Sequence, residues 1–368
     1  MKNMEKKTWK VAVVGCGSFA NGQYLPNISK EANAVCIAAV DIVEERAIAA
    51  CEKYGIPHHY ASVHELLEKC PEVEIIIDAA SIQAHHEINM AALTHGKHLI
   101  SQKPAAPTVE MMTLQIETAK KMGVQFVCAP IHNMRFDLNI IKRMMEDGTI
   151  GRPYYAKSNM SHGGPEYFQY RAADPSWFFE PGAGALVDMG VHGIQQVTFL
   201  MGPAKKVTCV AACTTPVRPV RSGAFDGKPI QADKMPDQYL ISLEFEGNRI
   251  GFIDSGFSQK ASKAPQLEIF GDQGTIAVTK PYMTNPQPDV YIDAPERGIR
   301  GWIEPMRWVN PPKPLNSQCC LLRDLIEAEE QHKRPVLNAE HARHVLEIMC
   351  AIEECLKTGG AVELKTTF

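Results

Sequence analysis

The sequence has no apolar run near the roughly 18 residues that cross a bilayer. Its opening stretch, MKNMEKKTWKVAVVG, carries charges where a signal peptide carries its apolar core. There is no basic excess either. A formal net charge of −4 and a pI near 6.4 exclude the broad positive field of a nucleic-acid binder. The 11 cysteines are odd in number, scattered, and form no C-x-x-C pair, so neither a disulfide framework nor a zinc knuckle is indicated. Cys16, Cys36, Cys128 and Cys209 lie in apolar stretches and read as buried small hydrophobes, and Cys319-Cys320 as helix residues. A reducing cytoplasm is the expected location. His341 and His344, three apart near the C-terminus without an acidic cluster, read as solvated, and no metal site is expected. Repeats and low-complexity tracts are lacking.

What is present is an ordinary globular composition, 45% apolar and 22% charged over 368 residues, enough for one large domain or two ordinary ones. From residue 9 to about 129, apolar runs (WKVAVV, AVCIAAV, EIIID, HLIS, VQFVC) alternate with helical patterns. Gly55, Gly96 and Gly123 sit at helix stops and Thr108 at an N-cap position. Continuous apolar strands alternating with helices imply a parallel sheet covered on both faces. Beyond residue 130 come a helix and an aromatic, glycine-rich loop, then a second helix and a series of strands joined by tight turns such as EGNR and GDQG. The expected fold class is α/β: an N-terminal Rossmann doubly wound parallel sheet (1–129), followed by an α+β domain (130–368) with a large, mostly antiparallel open sheet. Residues 214–237, rich in proline and glycine, read as a flexible loop or a partner-binding arm.

Three features carry chemistry. The first is Gly15-Cys16-Gly17-Ser18-Phe19-Ala20, a G-x-G-x-x-A turn directly after a strand, where a helix N-terminus approaches a pyrophosphate. Asp41, at the end of the next apolar run, is placed to accept hydrogen bonds from the adenosine ribose. A 2′-phosphate about 4 Å from that carboxylate would be repelled by on the order of 4 kcal/mol at an effective dielectric of 20. NAD is therefore favoured over NADP, with Arg46 a turn further on as a softening charge. The second feature is GAGALVDMGVHGIQQ, where Asp188 and His192 stand four apart. On a helix they share a face, and a carboxylate beside an imidazole suits a general base. A surface i,i+4 ion pair gives the same pattern. Gly190 and Gly193 inside that helix cost about 1 kcal/mol each and call for a close neighbour or a ligand. The third is Lys103, which follows the strand HLIS and so lies at the carboxyl edge of the sheet, where doubly wound folds bind ligands. A solvated turn lysine is the plain alternative.

Together these features resemble the glucose–fructose oxidoreductase, inositol dehydrogenase and rhizopine catabolism family (Gfo/Idh/MocA), in order along nearly the whole chain. Ser81-Ile82-Gln83-Ala84-His85-His86 is similar to the family's T-P-N-x-x-H segment, Gly96-Lys97-His98…Gln102-Lys103-Pro104 to G-K-H…E-K-P, and Asn133-Met134-Arg135-Phe136 to N-x-R-F. Gly182 to His192 is similar to G-G-G-x-L-x-D-x-G-x-H. The resemblance implies Gly15, Gly17, Ser18, Phe19, Asp41, Ser81, Gln83, His86, Gln102 and Lys103 along the cofactor. It implies Lys103, Asp188 and His192 as catalytic, with Asn133, Arg135, His162 and Trp177 added as substrate contacts. Three departures stand out. Gln102 replaces a glutamate and removes a negative charge beside Lys103, Ala183 interrupts the triple glycine, and Gln195 and Gln196 stand where many members have an acid.

The implied reaction is NAD-dependent oxidation of a ring hydroxyl held between Lys103 and His192. His192, oriented by Asp188, takes the hydroxyl proton, hydride passes to nicotinamide, and Lys103 donates a hydrogen bond to the oxygen. The substrate expected is a sugar, glycoside or cyclitol, leaning to C3 of a glucoside with a 3-oxo product, and inositol oxidation is the alternative. A glycosidase using transient oxidation and a sugar-sensing regulator are further alternatives. Tyr167, Phe168, Tyr170, Trp177 and Phe178 are recognition surfaces or core. The second-domain strands LISLEF and RIGFID look apolar on both faces, so a homo-oligomer joined through this sheet is expected. Nucleic-acid and membrane partners are not.

Overall fold

The computed structural model describes residues 7–168, 174–279, 287–303 and 317–368. Tyr170 lies outside the described residues. The chain divides into two compact units, one from Met1–Ile131 with Leu315–Arg343, the other from His132–Pro314 with His344–Phe368. The expected division at 129/130 assigns everything later to the second domain, whereas residues 315–343 group with the first unit. The helix Cys320–Glu330 buries Leu321, Leu322 and Leu325, and the Cys128 N–H donates to the Leu337 carbonyl (3.0 Å). An amphipathic helix does not announce in its sequence which sheet it will cover.

Among the described residues the first unit holds six strands: β1 (Trp9–Val14), β2 (Ala34–Val40), β3 (His58–Tyr60), β4 (Ile75–Asp78), β5 (His98–Ser101) and β6 (Phe126–Cys128). Their order is β3-β2-β1-β4-β5-β6, and every pairing is parallel. The order reverses between β1 and β4, so the carboxyl edge there is the cleft of a doubly wound sheet. Strand β4 is buried at every residue, as a parallel strand covered on both faces should be. Strand β3 is absent from the hydrophobic pattern because its residues, HHY, are largely exposed. Thr108 caps its helix by accepting from the Met111 N–H (3.2 Å), and Gly55 and Gly123 end theirs in the left-handed region.

The second unit is built on β7 (Pro153–Ser161), β8 (Ala204–Ala212), β11 (Gln238–Phe245), β12 (Arg249–Gly256), β13 (Leu267–Gly271), β14 (Gly274–Val278), β15 (Asp289–Ala294), β16 (Ile299–Ile303) and β17 (Val362–Glu363). They form one sheet in the order β16-β15-β14-β13-β7-β12-β11-β8-β17. Only β7 and β12 pair in parallel; the other pairings are antiparallel. One face packs on the helix Val191–Met201 and on Val345, Ile348 and Ile352 of the last helix, Ala339–Thr358. Strand β11 alternates cleanly between buried and open positions, against the expectation of two apolar faces. The open face is nonetheless partly apolar. Ile250, Tyr155 and Phe270 are cross-strand neighbours, Tyr155 stacks on Phe270 at 5.2 Å, and Tyr291 meets Trp302 edge-on at 5.6 Å. Trp302 is 63% exposed and Ile250 51%.

Packing explains Gly193 of the second motif. A Cβ on Gly193 would stand 2.6 Å from Ile253 Cγ2 and 3.3 Å from Met160 Cγ, both side chains of the sheet beneath. Gly193 thus lets the helix lie close to β7 and β12. Gly193→Ala is expected to lower stability by about 1–3 kcal/mol, because overpacking outweighs the helix-propensity gain. A urea midpoint that stays put or rises would contradict this.

The 214–237 stretch is an anchored hairpin and not a flexible arm. Strands β9 (Val217–Pro219) and β10 (Pro229–Gln231) pair antiparallel, and Val220, Ile230 and Ala232 join the core. Arg218 roots it, reaching Glu166 (2.7 Å) and Asp237 (2.5 Å) with all three side chains at 5% exposure or less.

Candidate active site

In the first unit the loop after β1 turns at Gly15, whose φ of +89° is left-handed. A Cβ there would strike the backbone of Ala80 at 2.6 Å, so no other residue fits. A Cβ on Gly17 would touch nothing within 4 Å, which leaves open space over the start of the helix Ser18–Gln23. Phe19 packs edge-on against Tyr24 at 6.1 Å, and the Asn21 amide donates to the Cys16 carbonyl (2.8 Å), fixing the loop. Asp41 accepts from the Cys16 N–H (2.8 Å) and the Val43 N–H (2.9 Å). Each carboxylate oxygen keeps acceptor capacity for a ribose hydroxyl. Arg46 stands 4.0 Å away with its side chain 60% exposed, a partly screened charge that leaves a 2′-phosphate still facing a carboxylate. The residues fit NAD: an open glycine turn for the pyrophosphate and an acid for the ribose.

Lys103 lies two residues past β5 at the same carboxyl edge. The chain just beyond it is held by buried polar groups. His85 Nδ1 is 2.8 Å from the Pro104 carbonyl, and the amides of Asn89 (3.0 Å) and Gln115 (3.2 Å) both donate to the Ala105 carbonyl. The Lys103–Pro104 peptide is cis. Gln102 donates its amide N–H to the buried Tyr24 hydroxyl (2.5 Å). Ser81 and Gln83 are exposed on the turn after β4, and His86 meets the Gln115 amide at 2.9 Å. Sequence reasoning passed over His85. It is buried, and its Nε2 lies 3.2 Å from the Ala80 carbonyl, so one ring ties the Gly15 contact to the Lys103 turn. Two adjacent histidines gave no signal as to which one turns inward.

Beneath this edge Asp78 is fully buried, and its Oδ2 has no hydrogen-bond partner among the described residues. Burial raises its carboxyl to about 6, against the opposing pull of His85 and the Ala80 N–H. A carboxyl raised on folding stabilises the protein most at low pH and loses that contribution as pH climbs through about 6. Relative to Asp78→Asn, the wild type should lose about 1 kcal/mol of stability between about pH 5 and 7.5. Parallel pH profiles of urea unfolding for the two proteins would contradict this.

In the second unit Asp188 lies in a π-helical turn, Leu186–Gly190, and His192 in the α-helix that follows, Val191–Met201. Their four-residue spacing therefore crosses a π turn, a form often found at functional sites, and is not a regular surface i,i+4 pair. The ring of His192 has a partner that sequence reasoning did not single out: His192 Nδ1 lies 2.8 Å from Nε2 of the buried His132. His132 is held in turn by Arg135 Nη1 (3.3 Å) and the Gln196 amide (3.2 Å) at its Nδ1, and its backbone N–H reaches Gln195 Oε1 (3.3 Å). The two glutamines that replace the expected acid thus frame His132. Arg135 is buried and forms a two-pronged ion pair with Asp137. Asn133, beside it in the turn His132–Met134, is buried too.

His162 stacks on Phe257 at 5.3 Å and accepts from the Gly164 N–H at Nδ1 (2.9 Å). Burial lowers its imidazole; the negative charge of Asp188 opposes that shift, which brings these two predicted residues into one electrostatic environment. The aromatics divide. Phe178 is core, packed edge-on against Phe257, whereas Trp177 lies over Phe178 at 3.8 Å and stays 41% exposed, as does Phe168 at 51%. His341 and His344, expected to be solvated, are buried. His344 Nε2 accepts from the Ala204 N–H (3.0 Å), a bond to a strand 140 residues away that the helix pattern cannot reveal. Cys36 and Cys209 are half-buried, not buried, and Cys319 precedes the helix that begins at Cys320. Among the described residues no cluster of His, Cys, Asp or Glu is disposed to hold a metal, and no helix is long and apolar enough to cross a membrane.

A doubly wound sheet with this glycine loop and ribose acid, followed by a large mixed sheet, defines a two-domain nicotinamide-dinucleotide oxidoreductase. The chain belongs to the Gfo/Idh/MocA family: residues 9–129 match its oxidoreductase, NAD-binding Rossmann-fold domain and residues 139–277 its C-terminal domain. It is an NAD-dependent dehydrogenase of that family. It is 24% identical over 299 residues to myo-inositol 2-dehydrogenase of Thermotoga maritima, covering 79% of this chain and 80% of that one. It is 26% identical over 251 residues to levoglucosan dehydrogenase of Pseudarthrobacter phenanthrenivorans, covering 63% and 62%. A solved levoglucosan dehydrogenase in complex with NADH superimposes with a TM-score of 0.80 at 19% identity, covering 98% of this chain and all of that one, a likeness of fold.

Proposed function

We propose that this enzyme oxidises a ring hydroxyl of a sugar, glycoside or cyclitol, with NAD as hydride acceptor and Lys103, Asp188 and His192 as the groups acting at the reacting carbon and its oxygen. NAD supplies the acceptor carbon for hydride. The chain supplies an ammonium or amine at Lys103, an imidazole at His192 and a carboxylate at Asp188. The observation that carries this reading is the scaffold itself. The chain just past Lys103 is pinned by buried side chains at the carboxyl edge of the NAD-binding sheet, and His192 is held by a buried polar network. Surface residues need no such support. Relatives named for inositol and levoglucosan favour a polyol ring as substrate.

Within that class we favour a glycoside oxidised at C3 to the 3-oxo product. The exposed faces of Trp177 and Phe168 suit the C–H-rich face of a sugar or its aglycone. Inositol is the second reading, supported by the inositol dehydrogenase relative. Incubation with NAD and either methyl glucosides or inositols, with carbon NMR of the product, separates them. A ketone at C3 of the glucoside supports the first and an inosose the second, while released aglycone without reduced cofactor overturns both. The open aromatic face of the second-unit sheet supports an oligomer joined through it. Light scattering at micromolar concentration should give a mass of at least twice 40.7 kDa, and a monomer would contradict the proposal.

A further inference from the structure

The donors in the polar network behind His192 constrain where its protons sit. Arg135 has only N–H groups and can accept nothing. It points Nη1 at His132 Nδ1 (3.3 Å) and is kept there by its ion pair with Asp137. His132 Nδ1 must then present a lone pair. The Gln196 amide nitrogen, 3.2 Å from the same atom, agrees, with its oxygen turned toward the Ser158 hydroxyl at 3.5 Å. Burial, together with the neighbouring His192 and Arg135, holds the His132 imidazole well below its usual range, so the ring is neutral with its one proton on Nε2. That proton faces His192 Nδ1 at 2.8 Å. The reverse arrangement would need a proton on His132 Nδ1. Gln196 could turn its amide to accept it, but Arg135 would still aim a positive N–H at it.

We propose that His132 is a positioning residue that fixes His192 in the tautomer carrying its proton on Nε2, so that His192 serves as a standing hydrogen-bond donor and not as the base. This rests on the proposed oxidation and deepens it. In that reaction the C=O bond forms as the C–H bond breaks, and bound NAD would supply the acceptor for its electron pair. The O–H bond gives its proton to the neutral amine of Lys103, which becomes an ammonium. His192 keeps its Nε2 proton and donates a hydrogen bond to the oxygen throughout. The division of labour is the reverse of the one expected from an Asp–His pair alone.

The test is nitrogen-15 NMR of histidine-labelled protein, with signals assigned by His132→Met and His192→Gln variants. In the wild type both His132 and His192 should show a protonated Nε2 and an unprotonated Nδ1. In His132→Met, which cannot donate, His192 should lose its preference and populate both tautomers. His132→Gln, which places an amide N–H at the same distance, should restore the Nε2–H form. With a substrate in hand, His132→Met should lower kcat about 10–100-fold with KM for NAD unchanged, and His132→Gln should recover most of it. A wild-type His192 protonated on Nδ1, or a tautomer indifferent to His132→Met, overturns the proposal. His192→Gln alone assigns the His192 signals, so the wild-type spectrum decides this even if a His132 variant fails to fold. It is also independent of turnover, so a missing sugar activity would defeat the proposed reaction and leave the tautomer assignment standing.

Discussion

Lys103→Met should lower kcat by about 10²–10⁴-fold, the range for loss of a group that moves a proton in the transition state. Affinity for NAD should hold within a few-fold, because the cofactor's determinants, the Gly15–Gly17 turn and Asp41, are fixed by contacts of their own: the Ala80 backbone, the Cys16 and Val43 amides, and Asn21. Lys103→Arg should not rescue. A guanidinium keeps the charge and the hydrogen bonds but cannot give up a proton at working pH, so the pair of variants separates a proton acceptor from a mere positive charge. The fold should survive both substitutions. The turn is held by His85, Asn89 and Gln115 acting on the carbonyls of Pro104 and Ala105, none of which involves the lysine side chain. Titration of each variant with NAD, alongside steady-state rates, is the check. Wild-type turnover in Lys103→Met, or full rescue by arginine, would contradict the role.

The second large effect is on stability. Arg218→Met should destabilise the second unit by about 3–5 kcal/mol, the cost of leaving buried charges without their partner. Arg218 bridges Glu166 and Asp237 and also donates to the Phe257 carbonyl (2.9 Å). Burial already raises the Glu166 carboxyl, with Arg218 pulling it back. For Asp237 burial also pushes upward, but the Thr214 N–H and Arg218 outweigh it and hold the group low. Removing the guanidinium leaves two carboxylates in one buried site. Since the cost is uncompensated charge and not lost packing, neutralising both acids in Arg218→Met/Glu166→Gln/Asp237→Asn should recover a substantial part of it. Urea unfolding of the three proteins measures this. A single variant within about 1 kcal/mol of wild type, or a triple variant no better than the single, would contradict the account.

The parts of this protein that a reader of the sequence can see are those written in consecutive residues. The glycine turn, Asp41 and Lys103 each lie at the end of an apolar run, and a parallel sheet sends all such ends to one edge. The strand–helix alternation made the first unit legible, and turns such as GDQG exposed the hairpins of the second. What stayed hidden depends on pairing between distant positions. His132 and His192 are 60 residues apart, Arg218 and Glu166 are 52 apart, and His344 bonds a strand 140 residues upstream. A buried, satisfied histidine and a solvated one look alike in sequence, which is why His341 and His344 read as surface residues. The 214–237 stretch shows the same limit: proline and glycine suggested a loose arm, but one arginine meeting two acids anchors it. Gln195 and Gln196 were visible as departures from the family pattern, yet their purpose emerged only with the ring they frame.

The central claim, hydride transfer from a ring carbon to the cofactor, is tested most directly with glucosides and inositols deuterated at every ring carbon. Incubated with the enzyme and NAD, the turned-over substrate should yield reduced cofactor carrying one deuterium at nicotinamide C4 for each ketone formed. Ketone or released aglycone without deuterium in the cofactor, or no reaction with any member of the panel while NAD binds, would contradict it.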